Sequence, residues 1–419
     1  MYERGKERKL LVLAFLYALT GGTVLYIKQP GKESLWAIGA AAIIFIGFLL
    51  LSFFWQQRKM TVDQYIIPIV SLIISTGVIF LFRLNPGYGY RQLSWVVIGL
   101  AVLWITTTLL RRYREIAEYK YLVALAGIIA LLLPIFFGIE LGGAKSWLDL
   151  GFFHFQPSEF VKLLLVFFLA SYLMENRMIR QTGEQRVYNI SGVGQWGPLL
   201  GMWLTALLVL VFQKDLGTAL IYFGTFLAMV YMATSRLLYI LLGALMFFAG
   251  AAVAYMQVEH VHTRVAIWLD PWLTPQTSGY QIIQSLFAID NGGIWGAGLG
   301  AGFPGFIPAV HTDFLFAAIC EEAGLLGGVG IMVLYMLLIY RGFKIALAAR
   351  DEYSSLLAAG FTAILGLQVL IIVAGVTKLL PMTGITLPFI SYGGSSMVAN
   401  FILIGMLLNI SGELMYDES

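Results

Sequence analysis

The chain has 419 residues, 59% of them hydrophobic and only 12% charged, about half the roughly 25% charge of a soluble domain. That balance excludes a soluble globular protein and points to an all-α polytopic membrane protein. A net charge of +3 is too small to argue for a nucleic-acid partner. The single cysteine, Cys320, allows no internal disulfide and no cysteine metal cluster.

The chain opens with "MYERGKERKLLVLAFLYALTGGTVLY". The start is basic, but the apolar run is long and no clear small-x-small cleavage pattern follows, so it reads as a retained first helix and not as a signal peptide. Apolar runs of roughly spanning length, about 20 residues, follow near 10–26, 36–54, 64–82, 92–110, 120–138, 159–174, 198–212, 217–233, 236–256, 314–340, 354–376 and 388–410. Twelve spans are thus expected. Residues 1–60 form a two-helix extension, 61–412 the core and 413–419 a cytoplasmic tail.

Charge sets the expected orientation. With the N-terminus inside, the inner segments carry 17 of the 26 Lys and Arg, the outer segments eight, and Lys162 lies within a span. This follows the positive-inside rule and leaves both termini in the cytoplasm of a cell whose plasma membrane the chain crosses. The inner loops are short and basic. The segments with varied polar chemistry fall outside: "GGAKSWLDLGFFHFQPSE", "QKDLG", the loop 257–313 and "TKLLPMTGITLPFISYGGSS". Function is therefore expected at the outer face or in a cavity opening to it.

In the long loop, "GYQIIQSLFAID" sets Tyr280, Ile283 and Phe287 on one helical stripe beside Ile282, Leu286 and Ile289. This pattern suits a helix lying in the membrane interface. Residues 292–305 then hold seven glycines. No strand precedes them and no soluble helix follows, so a dinucleotide fingerprint is the weaker reading. Close backbone packing at a rim is the stronger one.

Seven groups of residues carry candidate chemistry. Lys145 and Trp147 lie in "GGAKSWLDLG", where a tryptophan ordinarily anchors at the interface. Glu159 and Lys162 are spaced i, i+3 and pair on one helical face, as a structural ion pair or as the lining of a polar cavity. Lys214 and Asp215 sit where two short spans meet. Arg264 and Lys378 are outer cations. His311 and Asp313 stand at the mouth of the tenth span, where Asp313 equally suits a helix cap. Glu321 and Glu322 follow about 12 Å further along that helix, expected nearer the membrane middle and paired with a cation or backbone group. Finally, "GITLPFISYGGSS", with Pro388, Ser391, Gly393, Gly394 and Ser395, suggests a re-entrant or sharply bent approach to the last span.

The four histidines lack the spacing of a closed zinc site, and neither a Walker loop nor a covalent-nucleophile motif is present. Nucleotide cofactors are scarce outside a cell, so an enzyme there needs a substrate that brings its own leaving group. A lipid-linked diphosphate sugar fits, with cations to hold the diphosphate and a carboxylate to activate a hydroxyl.

"GGAKSWLDLGFFHFQPSEFVKL", "QKDLGTAL", "GYQIIQSLFAIDNGGIWGAGLG", "HTDFLFAAICEEAGLLGG" and "GITLPFISYGGSSM" resemble, in order, the motifs of the SEDS family of FtsW, RodA and SpoVE proteins. The likeness spans roughly 64–412. The two N-terminal spans depart from the family's usual ten-helix form. The resemblance implies a peptidoglycan glycosyltransferase acting on lipid II and the growing lipid-linked glycan strand in elongation, division or sporulation, with a class B penicillin-binding protein as partner. By the same resemblance Asp313 is the essential carboxylate, acting as general base, Trp147 is a cavity tryptophan, and Gln156, Pro157, Ser158, Glu159 and Lys162 form a family segment. Undecaprenyl diphosphate would leave, held by cationic groups and by Mg²⁺ or Mn²⁺ as a candidate cofactor. Lys145, Lys214, Asp215, Arg264, His311, Lys378, Ser391 and Ser395 complete the expected substrate-binding set; Glu321, Glu322, Pro388, Gly393 and Gly394 are expected to be structural. The family often has a proline where this chain has Lys214, and Glu-Ala where it has Ala309-Val310, which leaves Asp313 as the sole carboxylate at that rim. The rival readings are a lipid II flippase and a non-catalytic scaffold for the penicillin-binding protein.

Overall fold

The computed structural model describes residues 4–151, 153–175 and 191–414. Most of the basic segment at 175–186 and most of the tail at 413–419 lie outside the described residues. Apolar periodicity and length give a nearly all-helical chain. The helices are α1 (Gly5–Lys28), α2 (Lys32–Gln57), α3 (Ile66–Leu84), α4 (Pro86–Leu109), α5 (Lys120–Phe137), α6 (Pro157–Glu175), α7 (Ser191–Phe212), α8 (Leu216–Thr234), α9 (Leu237–Gln257), α10 (Glu259–Leu269), α11 (Tyr280–Gly292), α12 (Leu315–Ala348), α13 (Glu352–Val376) and α14 (Gly394–Leu414).

Among the described residues ten helices are long and apolar enough to cross a membrane, against an expected twelve. The fourth and fifth expected spans fall in one stretch, Pro86–Phe137. Its basic middle, Leu110–Tyr119, is a 3-10 helix interrupted at Arg112 (φ −90°, ψ 34°). The seventh, expected at 198–212, corresponds to the shorter apolar helix Trp196–Phe212.

The chain forms two compact units: Met1–Thr107 with Ala254–Arg341 and Gln368–Ser419, and Thr108–Val253 with Gly342–Leu367. In the first, α1 and α2 pack on each other and on α3. A Cβ at Gly22 would lie 3.1 Å from the Ile38 backbone, so the missing side chain lets α1 and α2 touch. Arg4 and Glu7 form a buried pair at the start of α1, with the guanidinium 5.2 Å from the Trp55 ring centroid. At the same end Asp63 pairs with Arg341 and takes the Ser411 hydroxyl at 3.0 Å through its backbone N–H, joining α3, α12 and α14.

Two departures from regular helix shape this unit. The span expected at 314–340 is not one straight helix: α12 breaks at Gly324 (φ 69°, ψ −173°), a conformation that favours glycine. From Phe314 to Glu322 every residue is buried, whereas beyond the break Leu325, Leu326 and Val329 are exposed. The part after Gly324 has the one-sided exposure of a lipid-facing span, and the part before it is an internal segment. The second departure is the stretch 377–393; from Gly384 on, a re-entrant or sharply bent approach to the last span was expected. The Tyr335 hydroxyl donates to the Pro388 carbonyl, and Gln368 donates to the Thr386 carbonyl at 2.9 Å. A Cβ at Gly77 would lie 2.6 Å from the Ile390 oxygen. These partners sit about two turns or more inside α12, α13 and α3, so the loop dips among the helices. Nonhelical backbone at that level must be covered by protein or line a cavity.

In the second unit α5 packs on α6, and α6 on α8. A small antiparallel sheet, not anticipated from the sequence, follows α5: β1 (Gly138–Leu141), β2 (Ala144–Asp149) and β3 (His154–Phe155), in that order. Gly142 and Gly143, both at positive φ (60° and 81°), make the two-residue turn between β1 and β2. Within α9 only Gly243 is buried, as befits a helix bathed in lipid.

Candidate functional site

Asp313 lies in the turn that precedes α12, its N–H donating to the Ala309 carbonyl at 3.2 Å. The Thr312 hydroxyl donates to the same carbonyl at 3.1 Å. Facing this turn are α10 and the re-entrant loop. A Cβ at Gly384 would lie 3.7 Å from Asp313 Oδ2 and 3.8 Å from Arg264 Nη2. The carboxylate and the guanidinium therefore converge on one glycine, itself at φ 72°. Asp313 keeps part of its surface open but is densely surrounded by protein. Burial raises its carboxyl pKa to about 6, opposed by the Thr312 side chain and the positive charge of Arg264.

Two residues of α10 tie it to the re-entrant loop. Arg264 Nη1 donates to the Met382 carbonyl at 3.0 Å, and Trp268 Nε1 donates to the Lys378 carbonyl at 3.1 Å. The i, i+4 spacing puts both on one helical face. Lys378, at φ 61°, thus serves this contact through its backbone. Trp268 and Gly384 were not singled out in the sequence; the only signal available was the tryptophan four residues after Arg264.

His311 stacks on Tyr88, ring centroids 4.1 Å apart and planes within 7°, and tilts against Tyr392 at 6.0 Å. Its carbonyl accepts the Tyr392 N–H at 2.9 Å. Burial lowers the imidazole pKa, which keeps the ring neutral at pH 7.

Glu321 and Glu322 anchor the segment that follows α11. They were expected to pair with a cation or a backbone group, and both do. Glu322 pairs with Arg83 at 3.0 Å, next to the last residue of α3, and its Oε2 accepts the Gly300 N–H at 2.9 Å. Glu321 Oε1 accepts the Phe303 N–H at 2.8 Å. Both are buried and anchor backbone, as the cost of an unpaired charge in an apolar setting requires. The glycine-rich segment is their counterpart. Ala297 and Gly298 donate to the Glu321 and Glu322 carbonyls, both at 2.9 Å. Close backbone approach accounts for Gly292 and Gly296, where a Cβ would lie 2.0 Å from the Cys320 oxygen and 2.3 Å from the Glu322 oxygen. Helix α11 beside it buries Ile282, Ile283, Ser285 and Ala288, and Phe287 is left outside against Trp272. The buried stripe is thus rotated from the expected one, because Ser285 turns inward to donate to the Val376 carbonyl at 3.1 Å.

The residues before α14 hold the loop. The Ser391 hydroxyl accepts the Leu387 N–H at 3.1 Å, and the Ser391 carbonyl accepts Gln92 Nε2 at 3.0 Å. The Gly393 N–H reaches Gln92 Oε1 at 3.4 Å. A Cβ at Gly394 would lie 2.2 Å from the Trp95 ring. Ser395 is buried.

The second unit gathers the other expected residues. Lys162, buried, donates to the partly buried Glu159 Oε2 in an i, i+3 pair. Asp215 caps α8 by accepting the Thr218 N–H at 3.1 Å and also accepts Gln156 Nε2 at 3.2 Å. Burial raises its carboxyl pKa against those hydrogen bonds, and the neighbouring charge of Glu159 raises it further. Tyr222 donates to the Ser158 carbonyl at 2.8 Å. Trp147 lies on β2 opposite Ile139, half-buried. Lys145 and Lys214 are exposed. Lys145 Nζ donates to the Ile135 carbonyl at 2.9 Å, and its N–H donates to the Gln213 carbonyl at 2.9 Å.

Among the described residues no three His, Cys, Asp or Glu side chains come together as a metal site. Close to Asp313 in sequence stand the stacked His311 and the Thr312 hydroxyl. These residues do not form a protein-only cage, and a divalent cation here would draw its other ligands from a substrate diphosphate, as Mg²⁺ commonly does.

Residues 85–416 match the family described as "Cell cycle protein", FtsW/RodA/SpoVE. The chain is 37% identical to "Peptidoglycan glycosyltransferase RodA" of Mycobacterium tuberculosis, covering 97% of this chain and 90% of that one. It is 34% identical to "Stage V sporulation protein E" of Bacillus subtilis over 84% of this chain and 98% of the other. A match over 97% of the chain necessarily takes in most of α1 and α2. Among solved structures, a chain of "a peptidoglycan synthase complex" has a TM-score of 0.71 at 29% identity, covering 85% of this chain and 99% of that one. The Rod shape determining protein RodA of Thermus thermophilus has a TM-score of 0.60 at 28% identity, covering 85% and 98%. The motif order, the helical membrane fold and these likenesses agree: the chain belongs to the FtsW/RodA/SpoVE family.

Proposed function

We propose that this chain is a peptidoglycan glycosyltransferase that polymerises lipid II at the outer leaflet of the plasma membrane. Family membership and relatives named for that activity support the reaction class. The observation that carries the site is the convergence of Asp313 and Arg264 on Gly384. A carboxylate with a pKa of about 6 is mostly ionised at pH 7 and a stronger base than an ordinary aspartate, which is the tuning general-base catalysis favours.

In this reading Asp313 takes the proton of the acceptor sugar hydroxyl. The oxygen attacks the anomeric carbon of the lipid-linked strand, and undecaprenyl diphosphate departs. Arg264 orients the carboxylate and contributes positive potential. The diphosphate recruits Lys378 from the expected set, and a divalent ion bound with it would add charge neutralisation. The positive-inside bias supports placing Asp313 outside and both termini inside. The likeness to a chain of a synthase complex that coordinates polymerization and crosslinking supports a class B penicillin-binding protein as partner.

The test is to incubate the purified protein and its partner with labelled lipid II and resolve the products on a gel. Glycan polymer is expected. Transfer of lipid II across proteoliposomes without polymer would support a flippase. Intact polymerisation by the partner with an inert Asp313 variant would support a scaffold.

A further inference from the structure

We propose that Arg83 and Glu322 are positioning residues for the glycosyl transfer: their ion pair fixes the axial setting of the helical segment whose opposite end carries Asp313. The inference rests on the assignment of Asp313 as the base.

The argument begins at Gly324. There the helical backbone stops and restarts. The carbonyls of Glu321 and Glu322 take the N–H groups of Ala297 and Gly298, while the N–H groups of Leu325 and Leu326 go to the Gly293 and Ile294 carbonyls at 2.9 and 3.2 Å. The hydrogen-bond ladder that would tie Leu315–Ala323 to the following span is thus diverted into the glycine-rich segment. The spanning helix does not set the height of the shorter one.

What remains to set it is lateral. Leu315, Phe316, Ala317, Ala318 and Ile319 are buried, but smooth apolar packing resists sliding along an axis weakly. Directional contacts hold both ends: at the near end the His311 carbonyl accepts the Tyr392 N–H at 2.9 Å, and at the far end the contacts are charged. Arg83 Nε donates to Glu322 Oε1 at 3.0 Å, and Arg83 Nη2 donates to the Gly302 carbonyl at 2.9 Å. The Gly300 and Phe303 N–H groups bind Glu322 and Glu321. Arg83 therefore clasps both the segment and the strap around it, and does so from α3, which is buried along most of its length. The charged group acting on the pair is Glu321 on the same segment; Lys28 of α1 is exposed, with its Cβ 3.4 Å from a Cβ placed at Gly300.

A helix is stiff, so a shift at Glu322 reaches the Asp313 end about 13 Å away nearly undiminished. A misplacement on the order of 1 Å can cost about a hundredfold in rate. Losing the clasp also changes how Asp313 is packed against Arg264 and Gly384, and packing is what raises its pKa.

The experiment compares Glu322→Gln, Arg83→Lys and Arg83→Ala with the parent and with Asp313→Asn, each purified with its partner. Folded fraction, KM, kcat and the pH profile of lipid II polymerisation are measured. Glu322→Gln keeps the shape and an acceptor for Gly300, which guards against simple misfolding. Expected are folded variants with kcat down about tenfold to a hundredfold, KM little changed, and an acid limb displaced from its parental position. Arg83→Lys should recover part of the loss that Arg83→Ala shows. If Asp313→Asn is inactive while the clasp variants keep the parental kcat per folded molecule and the parental acid limb, the positioning role is overturned and the base assignment stands. Full activity of Asp313→Asn would instead remove the base assignment itself.

Discussion

Arg264 and Asp313 meet over Gly384, and Arg264 is held there by the Met382 carbonyl at 3.0 Å. Because the positive charge opposes the effect of burial on Asp313, the sign of a substitution is fixed. With Arg264→Gln the carboxyl pKa rises further above about 6. The acid limb of kcat/KM for lipid II should therefore move to higher pH, with activity at pH 7 falling at least severalfold. A limb that stays in place or moves down would separate Arg264 from the carboxylate.

His311 distinguishes packing from chemistry. Its neutral ring lies flat on Tyr88, and an aromatic contact of this kind is worth about 0.5–1.5 kcal/mol. His311→Phe should keep polymerisation within a few-fold of the parent, whereas His311→Ala should lower both thermal stability in detergent and activity. Equal loss in the two variants would give the imidazole a chemical role.

The legibility of this molecule was uneven. The spans were readable because about 20 apolar residues in a row have few other uses. Glu159 with Lys162 was readable because i, i+3 spacing fixes a helical face, and the re-entrant loop because Pro388 and the Gly393–Gly394 pair punctuate it. The break at Gly324 was not. One glycine within an apolar run looks like any small residue in a membrane helix, and only the hydrogen bonds lost to Gly293 and Ile294 show otherwise. Gly384 was hidden because its importance comes from residues distant in sequence.

Glu159 and Lys162 offer a test of structural against functional burial. Removing one partner of a buried pair typically costs about 3–5 kcal/mol, whereas replacing both with apolar groups is often neutral. Lys162→Met should unfold more readily than the parent, and Lys162→Met with Glu159→Leu should regain stability. Restored polymerisation in the double variant would make the pair structural only; a stable, inactive double variant is the outcome expected of a substrate-cavity role.

The glycine-rich strap predicts a steric effect. A Cβ at Gly292 would sit 2.0 Å from the Cys320 carbonyl oxygen, so Gly292→Ala must move backbone at a cost of about 1–3 kcal/mol or more. A lower unfolding temperature is expected, measured by fluorescence in detergent. Gly305→Ala, which meets nothing within 4 Å, should leave it unchanged. Equal stability of the two variants would contradict the packing described for Gly292.

The most direct measurement is polymerisation of labelled lipid II by the purified protein with its partner, comparing the parent with Asp313→Asn at equal folded concentration. The account predicts long glycan strands from the parent, an acid limb near pH 6, and polymer reduced to background in the variant. Full-length polymer at the parental rate from Asp313→Asn would contradict it.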